Sequence, residues 1–206
     1  MKPVHLFAAA IAVVVASAAS AQTTTYTTPA TFAPMVAAGS YFEDFNDELV
    51  FGGEPTANFA GGAFSYTVSA PGTTLYGEGS FIGTAGANLA LVVTFTGAPV
   101  TAVGGSFYAT NFSDQLQAVP ITITLSNGSV TTFTPTSLVN SFRGFTTTSP
   151  ITSLTLSPPG GGLYGGIDSL RVGSVVPEPG TMALWLAGLA AVGGVAVRRR
   201  KQEQAA

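Results

Sequence analysis

Residues 41–173 consist of short β-prone runs separated by turn residues, and no stretch keeps the period of about 3.6 residues that marks an amphipathic helix. In the run Ile121–Leu125, three aliphatic side chains alternate with two threonines, which is the pattern of a half-buried strand. The dipeptide Asn127-Gly128 follows and supplies the positive φ of a tight hairpin, so residues 130–134 are predicted to fold back as the next strand. Runs of the same kind occur at 41–45, 63–68, 89–95, 101–109, 139–146, 151–156 and 166–172. About nine to eleven such strands predict an all-β fold, an antiparallel β-sandwich of the jelly-roll-like kind.

This central region lacks the side chains of most catalytic machinery. The chain has no cysteine, its one histidine is His5, and its lysines are Lys2 and Lys201, so all three residue types are absent from 22–176. Without them the region cannot form a Ser-His-Asp triad, a thiolate nucleophile, a Schiff base or a His- or Cys-ligated zinc site. The sequence therefore predicts a protein that is not an enzyme.

The few charges of residues 22–176 are mostly negative. Two basic residues, Arg143 and Arg171, stand against eight acidic ones, which gives a formal charge of −6. The acidic residues are Glu43, Asp44, Asp47, Glu48, Glu54, Glu78, Asp114 and Asp168. Residues 22–176 have no cluster of Lys and Arg side chains that could contact phosphates, and their negative charge would repel a phosphate-rich partner. Nucleic acid is therefore excluded as a partner.

Residues 1–21 have the order of a secretory signal peptide. A short positive start precedes an apolar run, and Ala19 and Ala21 give the small-x-small cleavage pattern before Gln22. The alternative is an uncleaved membrane anchor, but the apolar run is shorter than the about 20 residues of a spanning helix. Cleavage and export across an inner membrane are expected.

Two regions are predicted between the signal peptide and the C-terminal segment. Residues 22–40 are rich in Thr with Pro and Ala, a composition that favours an extended Thr/Pro-rich leader or linker. Residues 41–174 then form the β-sandwich domain.

The C-terminal segment, residues 175–201, contains Pro177, Glu178 and Pro179 near its start. Proline lacks the backbone N–H and forces its predecessor to be extended, so this motif is expected to be an accessible peptide just outside the membrane. The uncharged run 181–197 follows, at the short end of the about 17–25 residues that span a bilayer, and predicts a single C-terminal transmembrane helix.

A basic cluster ends this helix and acts as a stop-transfer signal. By the positive-inside rule it holds the C-terminus, including a short tail at 202–206, in the cytoplasm. The cluster comprises Arg198, Arg199, Arg200 and Lys201.

The order of Pro-Glu-Pro, short apolar helix and Arg-rich end over 175–201 resembles the PEP-CTERM sorting signal of exopolysaccharide-producing Gram-negative bacteria. The resemblance implies that an exosortase, a membrane transpeptidase-like enzyme, recognises Pro177, Glu178 and Pro179 and cuts near them. The protein would then be held only transiently in the inner membrane before it reaches the cell surface or the extracellular matrix. A permanent membrane anchor is the alternative that the residues leave open.

The central domain is similar to other PEP-CTERM ectodomains in the order of its features. It has an aromatic-acidic strand at 41–45, Gly-x-Phe at 105–107, a hairpin at 127–128, Gly-Phe at 144–145 and Ile-Asp-x-Leu at 167–170. This resemblance implies a sandwich like that of carbohydrate-binding modules, without identifying a ligand.

Acidic residues near both ends of the domain form a candidate calcium site. Because the first and last strands of many jelly rolls are neighbours, Glu43 and Asp44 are expected near Asp168. Calcium takes about six to eight oxygen ligands, so these carboxylates are candidate ligands for a calcium cofactor. The spacing does not match an EF-hand loop, and the alternative is a solvated acidic edge.

Two further kinds of site depend on sugar chemistry. The domain has no tryptophan, but tyrosine and phenylalanine rings can stack on sugars. A pair of carboxylates about 5–10 Å apart could instead hydrolyse a glycosidic bond, although nothing in the spacing indicates such a pair. The candidate platforms are Tyr66, Tyr76, Tyr108, Phe112 and Tyr164, and the candidate carboxylates are Glu43, Asp44, Glu78 and Asp114.

The sequence thus predicts an exported cell-surface or exopolysaccharide-matrix protein, sorted through its C-terminus and carrying a non-enzymatic structural or polysaccharide-associating module. The alternatives are a carbohydrate-binding module with a defined glycan ligand and a glycoside hydrolase.

Overall fold

The computed structural model describes residues 22–46 and 53–177, together with Gly188. In these ranges the chain is mostly β, and its strands form two antiparallel sheets. The larger sheet contains β1 (Thr23–Tyr26), β2 (Tyr41–Glu43), β5 (Leu75–Gly77), β6 (Ile82–Thr84), β8 (Val100–Thr110), β9 (Leu116–Gln117), β12 (Phe142–Ile151) and β14 (Tyr164–Gly173). The smaller sheet contains β3 (Thr56–Gly61), β4 (Phe64–Ser69), β7 (Leu91–Phe95), β10 (Ile121–Leu125), β11 (Val130–Phe133) and β13 (Ser153–Ser157). The all-β, antiparallel prediction is confirmed.

The strand orders are not sequential, so the chain crosses repeatedly between the sheets. The smaller sheet runs β11-β10-β13-β7-β4-β3. The larger sheet runs β1-β12-β8-β14-β6-β5, with β2 also paired to β14 and β9 to β8. A short helix, α1 (Pro29–Phe32), and two 3₁₀ turns, Ala33–Met35 and Leu138–Asn140, complete the described structure.

Both sheets contribute to one hydrophobic core. In β10 the aliphatic side chains are at most 2% exposed while the threonines between them are half-buried, as the alternation predicts. They pack in one cluster with residues of the larger sheet, among them Phe107 and Ile167. The apolar faces of the two sheets are thus buried against each other.

The hairpin after β10 lies at the predicted dipeptide, and its two residues have different parts in it. Gly128 has φ of +88°, which a residue without Cβ adopts at low cost. Asn127 acts through its side chain: Oδ1 accepts from the Ser129 N–H at 3.0 Å, and Nδ2 donates to the Thr23 hydroxyl at 2.9 Å. The second bond ties the hairpin to β1 of the other sheet.

Residues 22–40 differ from the extended leader that their composition predicts. Thr23–Tyr26 forms an edge strand paired with β12, and Phe32 of α1 is 1% exposed. Phe32 packs on the face of the larger sheet that points away from the main core, against Phe142 at 5.7 Å between ring centroids. Two glycines make room for this ring, since a Cβ would lie 2.7 Å from it at Gly104 and 2.5 Å from it at Gly144. A threonine-rich segment with high β-propensity is ordered by partners distant in sequence.

Several predictions fall on other parts of the chain. The signal peptide with Ala19 and Ala21, the helix 181–197 apart from Gly188, and the basic cluster 198–201 lie outside the described residues. Within the described ranges, no helix has the length and apolar character needed to cross a membrane.

Candidate functional site

One end of the larger sheet carries a cavity of about 340 Å³. It lies where β5, β6 and the start of β14 meet the tip of the β8–β9 hairpin. We call it the aromatic pocket and define it by four rings and two carboxylates among the residues that line it. These are Tyr76, Phe81, Phe112 and Tyr164, with Glu78 and Asp114.

Glycines in neighbouring strands make space for the ring of Phe81. A Cβ added at Gly83 of β6 or at Gly166 of β14 would lie 3.2 Å from that ring. Phe81 in turn contacts Tyr76 and Tyr108, each at 5.9 Å between ring centroids. The inner wall of the pocket is therefore a packed aromatic surface rather than a loose loop.

The tip of the β8–β9 hairpin is built by the side chain of Asn111. Its Oδ1 accepts from the N–H of Ser113 at 2.9 Å and from the N–H of Gln115 at 3.1 Å. Asp114 has φ of +56°, a left-handed conformation that Asp and Asn adopt more readily than most residues. This fixed tip presents Phe112, which is 87% exposed, at 6.5 Å from the ring of Tyr164 on β14.

The hydroxyl of Tyr76 is hydrogen-bonded to one of the two carboxylates of the pocket. It donates to Asp114 Oδ2 at 2.8 Å. Burial raises the pKa of Tyr76 above its ordinary value, and hydrogen bonds to Glu78 and Asp114, with their charges, raise it further. The phenol therefore stays protonated at neutral pH and remains a hydrogen-bond donor.

Thr84 supplies a buried polar group in the wall of the pocket. The residue is 1% exposed, and its Oγ1 has no hydrogen-bond partner among the residues that the structure describes. A buried hydroxyl without a partner costs about 1–3 kcal/mol. A ligand atom that reached Oγ1 would recover part of that free energy.

The predicted approach of the first and last strands of the domain occurs on the same sheet. β2 pairs with β14, so that Glu43 lies opposite Leu170. The pairing of β14 with β8 shifts between Asp168 and Arg171, and Ser169 in this bulge has φ of +54°. A β-bulge of this kind changes the direction in which the neighbouring side chains point.

The three candidate calcium ligands have different surroundings. Burial raises the pKa of Asp168, hydrogen bonds from Ser169 oppose this, and the charge of Asp44 raises the pKa further. Glu43 accepts from the Tyr41 hydroxyl through Oε2 and from the Phe45 N–H at 3.2 Å through Oε1. Both carboxylate oxygens of Glu43 are thus engaged within its own segment.

Within 22–46 and 53–177, no group of three acidic, histidine or cysteine side chains is arranged to hold a metal ion. Asp47 and Glu48, which extend the acidic cluster in sequence, lie outside those ranges. The calcium site of Glu43, Asp44 and Asp168 stays a prediction. We refer to these three residues as the acidic edge.

The structure divides the five candidate sugar platforms into two groups. Tyr76, Phe112 and Tyr164 line the aromatic pocket. Tyr66 is 1% exposed in the main core, where it stacks on Phe59 at 5.2 Å, and Tyr108 is 5% exposed. The candidate carboxylates divide in the same way, since Glu78 and Asp114 line the pocket whereas the other two lie on the acidic edge.

Sequence reasoning did not single out Phe81, Thr84 and Asn111. The available signal for Asn111 is the turn-forming composition of Asn-Phe-Ser-Asp directly after a long apolar strand. Phe81 and Thr84 lie in a short segment whose role depends on pairing with distant strands, and no local pattern marks them.

The described residues define an all-β domain of two antiparallel sheets with an aromatic pocket at one end. Beyond this domain, residues 175–201 match the PEP-CTERM protein-sorting motif. The chain therefore contains a PEP-CTERM sorting motif, as its C-terminal residues predicted. The motif indicates an exported protein that is recognised by an exosortase, a membrane enzyme. Of the predicted recognition residues, Pro177 is described and exposed, while Glu178 and Pro179 lie outside the described residues.

Other comparisons add little. No curated protein matches the sequence. A solved structure described as the "Crystal structure of Agl-KA catalytic domain" has 12% sequence identity and a TM-score of 0.34 to this chain. The match covers 70% of this chain and 29% of that one. A TM-score this low is not a basis for inferring a common fold or activity.

Proposed function

We propose that this protein is a non-enzymatic component of the cell surface or of an exopolysaccharide matrix. The signal peptide at 1–21 directs export, and the helix at 181–197 holds the chain transiently in the inner membrane with residues 198–206 in the cytoplasm. An exosortase-like enzyme then cuts near Pro177, Glu178 and Pro179. The sorting motif at 175–201 supports this route.

The domain at 41–174, a β-sandwich of jelly-roll-like type, would associate with polysaccharide through the aromatic pocket. The observation that carries this assignment is the exposed ring of Phe112, held on a hairpin tip beside Tyr164 in a pocket that two carboxylates also line. The C–H face of a sugar packs on such rings, and sugar hydroxyls donate to carboxylate oxygens. Pockets that combine apolar walls with a few polar groups are typical of small-molecule sites.

The same pocket contains the pair of carboxylates that glycoside hydrolysis would need. The Tyr76 hydroxyl donates to Asp114 at 2.8 Å, so one of the two carboxylates is already hydrogen-bonded to a phenol. A carboxylate held by a phenol in this way favours binding over a role in acid–base hydrolysis. Incubation of the full chain with the exopolysaccharide of its native cells should release no reducing ends. Release that Glu78→Gln abolishes would identify a hydrolase instead.

Mass spectrometry of the C-terminus in native cells tests the sorting route. The expected mature chain ends near residues 177–180 and lacks Trp185 and the basic cluster. Quantitative recovery from membranes of a peptide extending through Lys201 would instead establish a permanent anchor and contradict the proposed processing.

A further inference from the structure

The aromatic pocket is negatively charged, and so is the domain around it. Glu78 and Asp114 line it, and none of the described residues in its wall is lysine, arginine or histidine. Residues 22–176 carry a formal charge of −6, two basic against eight acidic residues, and this adds a field of the same sign. Such a field attracts cations and repels anionic ligands.

The rings of the pocket attract cations as well. The face of an aromatic ring is negative, and a cation within about 6 Å of its centroid is stabilised. Tyr76 and Phe81 are tilted by 56° to each other, and Phe112 and Tyr164 by 55°. A group bound among them therefore meets ring surfaces of different orientation, together with two carboxylates.

Among the residues that the structure describes, Thr84 adds a polar group without a partner to those that line the pocket. Its hydroxyl, in a residue that is 1% exposed, has no partner among the described residues and can either donate or accept. Asp114 also retains acceptor capacity, because a carboxylate offers about four lone-pair sites and Tyr76 occupies one of them. A ligand with several N–H or O–H donors fits these groups.

We propose that the aromatic pocket binds an amine-bearing sugar, with its ammonium group at Asp114 and Glu78 and its C–H face on Phe112. This inference rests on the proposed association with polysaccharide and specifies its chemistry. The preferred polymer contains free amino sugars, neutral sugars bind more weakly, and uronic acids are repelled.

Four trisaccharides with the same β-1,4 backbone provide a matched test. Each is built from a single sugar, which is glucose, glucosamine, N-acetylglucosamine or glucuronic acid. The group that distinguishes these sugars is a hydroxyl, an ammonium, an acetamide and a carboxylate, respectively. Binding is measured by titration calorimetry of the full chain in detergent at about pH 6, below the ordinary pKa of an amino group. The glucosamine trimer should bind about tenfold more tightly than the glucose trimer, as expected for a charge-assisted hydrogen bond. The preference should shrink as salt is added.

Two substitutions isolate the charge. Asp114→Asn and Glu78→Gln keep the size of the side chains, and Asn tolerates the positive φ at position 114. Together they should equalise the affinities for the glucosamine and glucose trimers without abolishing either. Glu54→Gln removes a charge from an exposed residue that does not line the pocket and should leave the tenfold preference intact.

The outcomes separate this inference from the proposed function. Equal affinity of the wild-type protein for the glucosamine and glucose trimers overturns the ammonium assignment and leaves the association with polysaccharide standing. Choline that binds as tightly as the glucosamine trimer indicates a site for free quaternary amines and overturns the sugar assignment. If the chain neither binds a trimer nor is retained on native exopolysaccharide, both the inference and the proposed function fail.

Discussion

The aromatic pocket and the acidic edge both place carboxylates on the larger sheet, but they differ in what those carboxylates contact. On the acidic edge, Glu43 accepts hydrogen bonds from Tyr41 and from the Phe45 backbone, so it is engaged in the structure of its own segment. In the pocket, Glu78 and Asp114 face a cavity lined by aromatic rings. The comparison shows that acidic residues form a candidate binding site when their carboxylate oxygens can still accept hydrogen bonds and a cavity beside them has space for a ligand.

The largest expected difference between the two regions is in stability. Glu43→Ala leaves the N–H of the fully buried Phe45 without its acceptor, which should lower the free energy of unfolding by about 1–3 kcal/mol. Glu78→Ala, at an exposed position, should change it by less than about 0.5 kcal/mol. Urea unfolding of both variants measures the difference. Equal urea midpoints for Glu43→Ala and Glu78→Ala would contradict the structural role assigned to Glu43.

Exposed phenylalanines in the two regions allow a matched test of binding. Phe112 is 87% exposed beside the pocket, and Phe42 is 45% exposed on β2 next to the acidic edge, with the Arg171 guanidinium 5.1 Å from its ring. Phe112→Ala should weaken binding to native exopolysaccharide about fivefold, because an aromatic contact contributes about 0.5–1.5 kcal/mol beyond its area. Phe42→Ala should leave binding unchanged. Cosedimentation measures both variants, and a larger loss for Phe42→Ala would place the binding surface at the acidic edge.

The smallest expected effect is the pH dependence that arises from Asp168. Its pKa is raised in the folded state, so the folded chain binds this proton more readily than the unfolded chain does. Stability should therefore fall as the pH rises from the ordinary value of 3.8 through the raised value. Since the group is partly solvated, the loss at neutral pH should be below about 1 kcal/mol.

Two substitutions check this assignment in unfolding curves recorded at a series of pH values. Asp168→Asn should remove the loss of stability while keeping an acceptor for Ser169. Asp44→Asn removes a charge that raises the Asp168 pKa in the folded state, so the decline should end at a lower pH and be smaller. A profile that is the same in wild-type protein and in Asp168→Asn would assign the dependence to another group.

Local patterns predicted most of the long strands. The alternation in β10 and the Asn127-Gly128 dipeptide are complete within a few residues, so strand and hairpin could be placed from sequence. β5 and β6 have three residues each and are defined by pairing with each other and with β14, which no local period reveals. β1 was missed for a related reason, because its partner β12 is more than 100 residues away in sequence.

The candidate site was predictable only as a set of residue types. Tyr66 alternates with Phe64 and Val68 along β4, a pattern that indicates a core position, and the structure buries it. Tyr76 and Phe112 carry no such signal, since they lie in a short strand and a hairpin tip that the topology brings together. The sorting motif at 175–201 is a contiguous segment, so the sequence alone could identify it.

Hydrogen–deuterium exchange of the full chain, with and without native exopolysaccharide, tests most directly whether the aromatic pocket is the binding site. Binding should slow exchange in peptides covering 75–85 and 110–117, which contain the pocket, and leave peptides covering 40–46 and 166–172 unchanged. Protection confined to the acidic edge, or no protection in the presence of polysaccharide that the chain retains, would contradict the assignment of polysaccharide binding to the aromatic pocket.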